Sequence, residues 1–155
     1  MRMRSAFTAP GKSIHYYTVE WDPAKLSWED FRGKVLGPTD PAEAPKDSLR
    51  GVILAKWKAL GLKEEPNIGN NGVHASASPF EGLAERLNWL SVQCKADKFC
   101  KSMLKAGITE DTIRAWSVDP QVKIEDSGKK GSLFDALEDL DARACIEKAK
   151  KLQAM

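Results

Sequence analysis

The chain has 155 residues, 42% of them apolar and 30% charged, with a formal net charge of +2. This length suits one ordinary globular domain, or a small domain with a helical extension, and the composition excludes an intrinsically disordered chain. The near balance of charge gives no field to attract nucleic acid, and no apolar run reaches the roughly 18 residues of a membrane span.

Residues 1–13 read as a flexible lead-in, basic at its start but without the apolar stretch of a secretory signal, which leaves an organellar address open. Pro10-Gly11-Lys12-Ser13 resembles the end of a phosphate loop, but Ala6 stands where the first glycine of that loop would fall. Ile14 to Trp21 is aromatic and β-branched and is closed by Asp22-Pro23, which predicts a strand. His15 within it has no metal-ligand companion at strand spacing. Ser27 to Gly33 predicts a short helix ended by glycine. Residues 36–51 predict a long loop stiffened by Pro38, Pro41 and Pro45. Ile53 to Leu60 predicts a short helix ended by Gly61, and turn residues follow it.

Ser78-Pro79-Phe80-Glu81 is the clearest helix start: Ser78 caps, Pro79 has no N–H to lose, and Glu81 completes a capping box. Phe80, Leu83, Leu87 and Leu90 then recur at helical spacing as a buried stripe. Residues 91–155 read almost wholly as helix. One helix runs from Asp97 to Ala106, one from Thr109 to Trp116, and a long one from Ser132 to about Gln153. Val122 to Glu125 is the one strand-like stretch among them. The three cysteines, Cys94, Cys100 and Cys145, form no CxxC pair and have no nearby histidine. They read as reduced thiols in a reducing, cytoplasmic compartment, with no zinc site.

One residue carries chemistry. His74 lies in Asn71-Gly-Val-His74-Ala-Ser-Ala-Ser78, among side chains too small to shield it and just ahead of a helix N-terminus. Unpaired N–H groups and the helix dipole favour an anion there, and a neutral imidazole beside it can attack phosphorus. Glu81 and Glu85 are one turn apart, so either can reach back to set the histidine tautomer. No metal-ligand set is read from the sequence.

Two stretches, in order and at matching spacing, resemble the C-terminal half of nucleoside diphosphate kinases. The first is Leu36-Gly-Pro-Thr39-Asp-Pro running to Ser-Leu-Arg50-Gly51. The second is Asn71-x-x-His74-x-Ser76-x-Ser78 with Glu85 and Trp89-Leu90 beyond it. The resemblance covers about residues 14–90. It implies an α/β (α+β) fold: a reduced, ferredoxin-like sheet-and-helix domain over 14–90, with residues 91–155 as a helical extension. It implies that His74 is transiently phosphorylated, with Ser76 and Glu85 supporting it. Thr39 and Arg50 would hold phosphate oxygens, and Asn71 would face the ribose. A nucleoside di- or triphosphate with Mg2+ would be the ligand, and the loop 37–51 would serve a homo-oligomer. Residues 91–155 would be free to meet a protein partner.

The chain departs from that family in places. Residues 1–13 leave no room for its lysine-bearing first strand or its base-stacking aromatics, Gly33 stands where an arginine is expected, and Ala75 and Ala77 replace a glycine and an aspartate. The expected function is transfer of a nucleotide γ-phosphate through a phosphohistidine. The alternative is a catalytically degenerate nucleotide- or phosphate-binding domain acting as a protein-interaction module.

Overall fold

Short oxygen-bearing side chains set the helix starts in this chain. In the computed structural model, which describes residues 9–124 and 127–155, Ser27 caps α1 (Trp28–Asp30), which continues as a π-helical turn over Phe31–Leu36. Asp40 caps the 3-10 turn Pro41–Glu43, and Ser48 caps α2 (Leu49–Lys56). Ser78 caps α3 (Pro79–Trp89), and the 3-10 turn Cys94–Ala96 leads to Asp97, which caps α4 (Lys98–Lys105). Thr109 caps α5 (Glu110–Trp116). An antiparallel pair, β1 (Gln121–Lys123) and β2 (Lys130–Ser132), aligns Val122 with Gly131. Ser132 caps α6 (Leu133–Leu137), and α7 (Ala142–Ala154) closes the chain. Each such cap contributes about 0.5–2 kcal/mol by satisfying an orphan backbone donor. The described residues are thus mixed helix with a small two-stranded antiparallel sheet, an α+β arrangement. No helix among them is long and apolar enough to cross a membrane.

The chain divides into two compact units. The first joins residues up to Leu26 with Lys34–Val73, and the second joins Ser27–Gly33 with His74–Met155.

In the first unit the proline-bearing loop closes on the start of α2. The Ser48 hydroxyl donates to the Pro45 carbonyl at 2.6 Å and accepts from Gly51 N at 3.2 Å. A Cβ on Gly51 would collide with that same carbonyl oxygen, and one on Gly37 (φ +93°) would come within 2.7 Å of the Ser48 hydroxyl. Both glycines are therefore required by close approach, not only by flexibility. The strand expected over 14–21 does not form. Residues 11–20 are all exposed, and the only ladder-type pairing among the described residues of 14–90 is an isolated bridge between Asn67 and Asn70. A lone strand cannot satisfy its own backbone, so aromatic and β-branched composition does not suffice.

The second unit holds the main core. Phe80 and Leu83 of α3 pack with Met103, Ile108, Ile113, Trp116, Leu133, Leu137, Cys145, Ala149 and Leu152. Phe80 meets Trp116 and Phe134 edge-on, with ring centroids 6.2 and 6.1 Å apart. Of the predicted stripe, Leu87 is only partly buried and Leu90 ends the helix. Residues 91–155 supply most of the core in which α3 sits.

Two expectations are corrected here. The long helix from Ser132 is broken between α6 and α7, where Asp139 adopts φ +58°. The break is held by partners distant in sequence: Asp139 N donates to Ala77 O at 2.9 Å, and Arg32 pairs with Glu138 at 2.8 Å and Asp139 at 2.5 Å. Cys94 and Cys100 are paired as a disulfide, their Cα atoms 5.4 Å apart as such a bond requires. Cys145 is the free thiol, and burial pushes its pKa up to about 12.

Candidate functional site

The segment 74–77 is pinned to α3 by two glutamates one turn apart on that helix. The Glu85 carboxylate takes His74 Nε2 on one oxygen at 2.8 Å and the Ser76 hydroxyl on the other at 2.5 Å. The Glu81 carboxylate accepts from Ala77 N, and Glu81 N donates to the Ser78 hydroxyl at 3.1 Å. This is a capping box shifted by one residue, since the returning carboxylate reaches Ala77 N instead of Ser78 N. The His74 side chain is 69% exposed and that of Glu85 32%. His74, Ser76 and Glu85, read from the sequence as one group, are brought together.

Electrostatics distinguishes the two glutamates. Burial pushes Glu85 up, but hydrogen bonds from His74 and Ser76 and the charge of Arg86 outweigh it and hold the carboxyl below its usual range. Burial likewise pushes Glu81 up, and there the nearby Glu85 charge adds to burial. The Ala77 N–H opposes them without winning, so Glu81 sits above its usual range. An opposite-sign pair of shifts on adjacent carboxylates is common at functional sites.

The backbone donors that made this helix start attractive to an anion are partly spent. Pro79 has no N–H, Glu81 N serves Ser78, and Ala77 N serves Glu81. What faces the imidazole is carboxylate. One ligand atom from each of His74, Glu81 and Glu85 lies within 4.8 Å of the others.

In the first unit, Arg50 and Asn71 bond to the backbone. The buried Arg50 guanidinium donates to Gly37 O at 2.8 Å and Val73 O at 2.9 Å, joining the start of the proline-bearing loop to the residue before His74. The Asn71 amide donates to Thr39 O at 3.1 Å, so Thr39 and Asn71 are neighbours through that carbonyl.

Trp28 was not legible as part of the site. Its indole Nε1 donates to Ser76 O at 2.9 Å, and its backbone N–H is received by the Asp141 carboxylate at 2.8 Å. Only the Ser27 cap signal hinted that a helix began there. The contact to Ser76 spans 48 positions and has no local signature.

Comparison of the chain with family profiles, with curated proteins and with solved structures finds no match.

Proposed function

We propose that this chain is a nucleoside diphosphate kinase-like phosphotransferase in which His74 carries the phosphoryl group. The observation that carries the reading is the Glu85 Oε1 to His74 Nε2 contact of 2.8 Å, backed by the Ser76 hydroxyl on Glu85 Oε2. A carboxylate is an acceptor only, so His74 donates Nε2–H and the ring lone pair resides on Nδ1. That nitrogen attacks the γ-phosphorus of a magnesium nucleoside triphosphate. The N–P bond forms as the bond to the bridging oxygen breaks, and the nucleoside diphosphate leaves with the electron pair. Glu85 stabilises the positive ring that results, and a second nucleoside diphosphate takes the phosphoryl group back. The family assignment, and with it a reduced ferredoxin-like ancestry for residues 14–90, rests on the order and spacing of the Thr39–Arg50 and Asn71–Glu85 stretches; no paired strands support it.

Arg50 favours the second reading, a degenerate nucleotide- or phosphate-binding domain that serves as an interaction module. Its guanidinium bonds two carbonyls inside the fold, which is a structural use of a phosphate-binding residue. Incubation with γ-labelled ATP decides between them. The first reading expects acid-labile, base-stable label that His74→Ala abolishes. Thermal stabilisation by a nucleoside diphosphate with no label expects the second.

A further inference from the structure

The same three side chains suit a positive ion better than a negative one. His74 comes from the segment before α3, while Glu81 and Glu85 project from one face of it, so the donors converge from two elements. In octahedral coordination at roughly 2.0–2.1 Å, adjacent ligand atoms lie about 2.9 Å apart. His74 Nε2 and Glu85 Oε1, at 2.8 Å, already have the spacing of one such edge. The third donor lies within 4.8 Å of both, a gap that a rotamer adjustment of the half-buried Glu81 closes. One imidazole with two carboxylates is a donor set for first-row divalent metals. An ion there would also relieve the repulsion between two carboxylates held one helical turn apart.

We propose that His74, Glu81 and Glu85 form a divalent transition-metal site whose occupancy excludes phosphorylation of His74. The metal bonds to the Nε2 lone pair, so the proton on Nε2 must leave, and the neutral ring then carries its proton on Nδ1. The lone pair needed to attack phosphorus is no longer on Nδ1. Glu85 Oε1 has two alternative partners, Nε2–H in the reactive state and the ion in the blocked one, while Oε2 keeps the Ser76 hydroxyl. The exclusion rests on the phosphohistidine reading; the metal site itself does not.

Titration of the full chain with CoCl2, followed by visible absorption, tests the site, and ZnCl2 in the labelling reaction tests the exclusion. One equivalent of Co2+ is expected, and Glu81→Gln should weaken it at least about tenfold, since loss even of a supporting group costs that much. Glutamine keeps an amide oxygen for Ala77 N, so the variant should retain its melting temperature. His74→Ala should weaken Co2+ similarly. Unchanged Co2+ affinity in both variants overturns the site. Label that persists in Zn2+-saturated protein overturns the exclusion, and label lost with Zn2+ and restored by chelator supports it. If the unmodified chain takes up no label at all, the phosphohistidine reading and the exclusion both fail, while the Co2+ titration still decides the site.

Discussion

Arg86 grips Asp97 through two nitrogens, Nε at 2.9 Å and Nη2 at 2.7 Å, both on the same carboxylate oxygen. The other oxygen of Asp97 accepts from Phe99 N and Cys100 N and so caps α4. Arg86 follows Glu85 on α3, so this pair ties the site-bearing helix to the one that begins with Asp97. Asp97 is nearly buried, and its removal strands the guanidinium and uncaps the helix at once. Asp97→Ala should cost about 2–4 kcal/mol in urea unfolding. Asp97→Asn, which keeps the capping acceptor, should cost clearly less; equal losses would refute the double role.

Trp28 offers a test of positioning without touching the imidazole. Trp28→Phe removes the indole donor to Ser76 O. A stability loss of about 1 kcal/mol is expected, together with a several-fold slower rate of His74 labelling at unchanged nucleotide affinity. A stability change with no kinetic effect would make Trp28 a packing residue only.

The two glutamates should act in opposite senses as pH changes. Glu85 titrates below its ordinary value of 4.5 when folded, so its contribution is complete above that value and is lost as pH falls through the lowered one. Glu81 titrates above 4.5, so its contribution is present below that value and is lost as pH rises through the raised one. Between about pH 3 and pH 7, Glu85→Gln should therefore flatten the acid loss of stability, and Glu81→Gln should steepen it. Parallel profiles for the two variants would contradict the assignment.

Gly51→Ala probes the first unit by itself. A methyl group there meets the Pro45 carbonyl, which belongs to a stiff, proline-bearing loop. The loop must shift, at a cost of about 1–3 kcal/mol, and backbone exchange at residues 45–51 should rise in hydrogen–deuterium measurements. Gly61→Ala, with open space around it but φ +73°, should cost about 1 kcal/mol.

Cys145 should resist alkylation. With its pKa pushed up to about 12 from an ordinary 9.0, the thiol holds roughly a thousandfold less thiolate than an exposed one, and thiolate is the reactive form. Iodoacetamide should modify it only after denaturant is added. Rapid modification of the native chain would show that the core around it opens.

What could be read from the sequence was local. Ser78-Pro79-Phe80-Glu81 starts a helix because cap, proline and returning carboxylate lie within a few residues, and Thr109 and Asp97 mark their helices by the cap alone. The grouping of His74, Ser76 and Glu85 was legible for that reason too, since it spans about three turns of chain. Ser48, read as loop, is the cap that moves α2 four residues earlier than expected. The failures involve distant partners. A strand over 14–21 needed a neighbouring strand. The break after α6 depends on Arg32 and Ala77, because Glu138, Asp139 and Leu140 are themselves compatible with helix. Arg50 carries a charge, which in sequence suggests exposure; the converging Gly37 and Val73 carbonyls help make its burial tolerable.

The bond from Trp28 N to the Asp141 carboxylate spans 113 positions, and this constrains how the protein is made. At the roughly 5–20 residues per second of synthesis, the segment 27–33 emerges on the order of ten seconds before the residues it must join. During that interval the Trp28 N–H and the Arg32 guanidinium are without the carboxylates of Asp141, Glu138 and Asp139 that receive them. The contacts that hold the start of α1 within the second unit are therefore completed only when the chain reaches the residue that precedes α7.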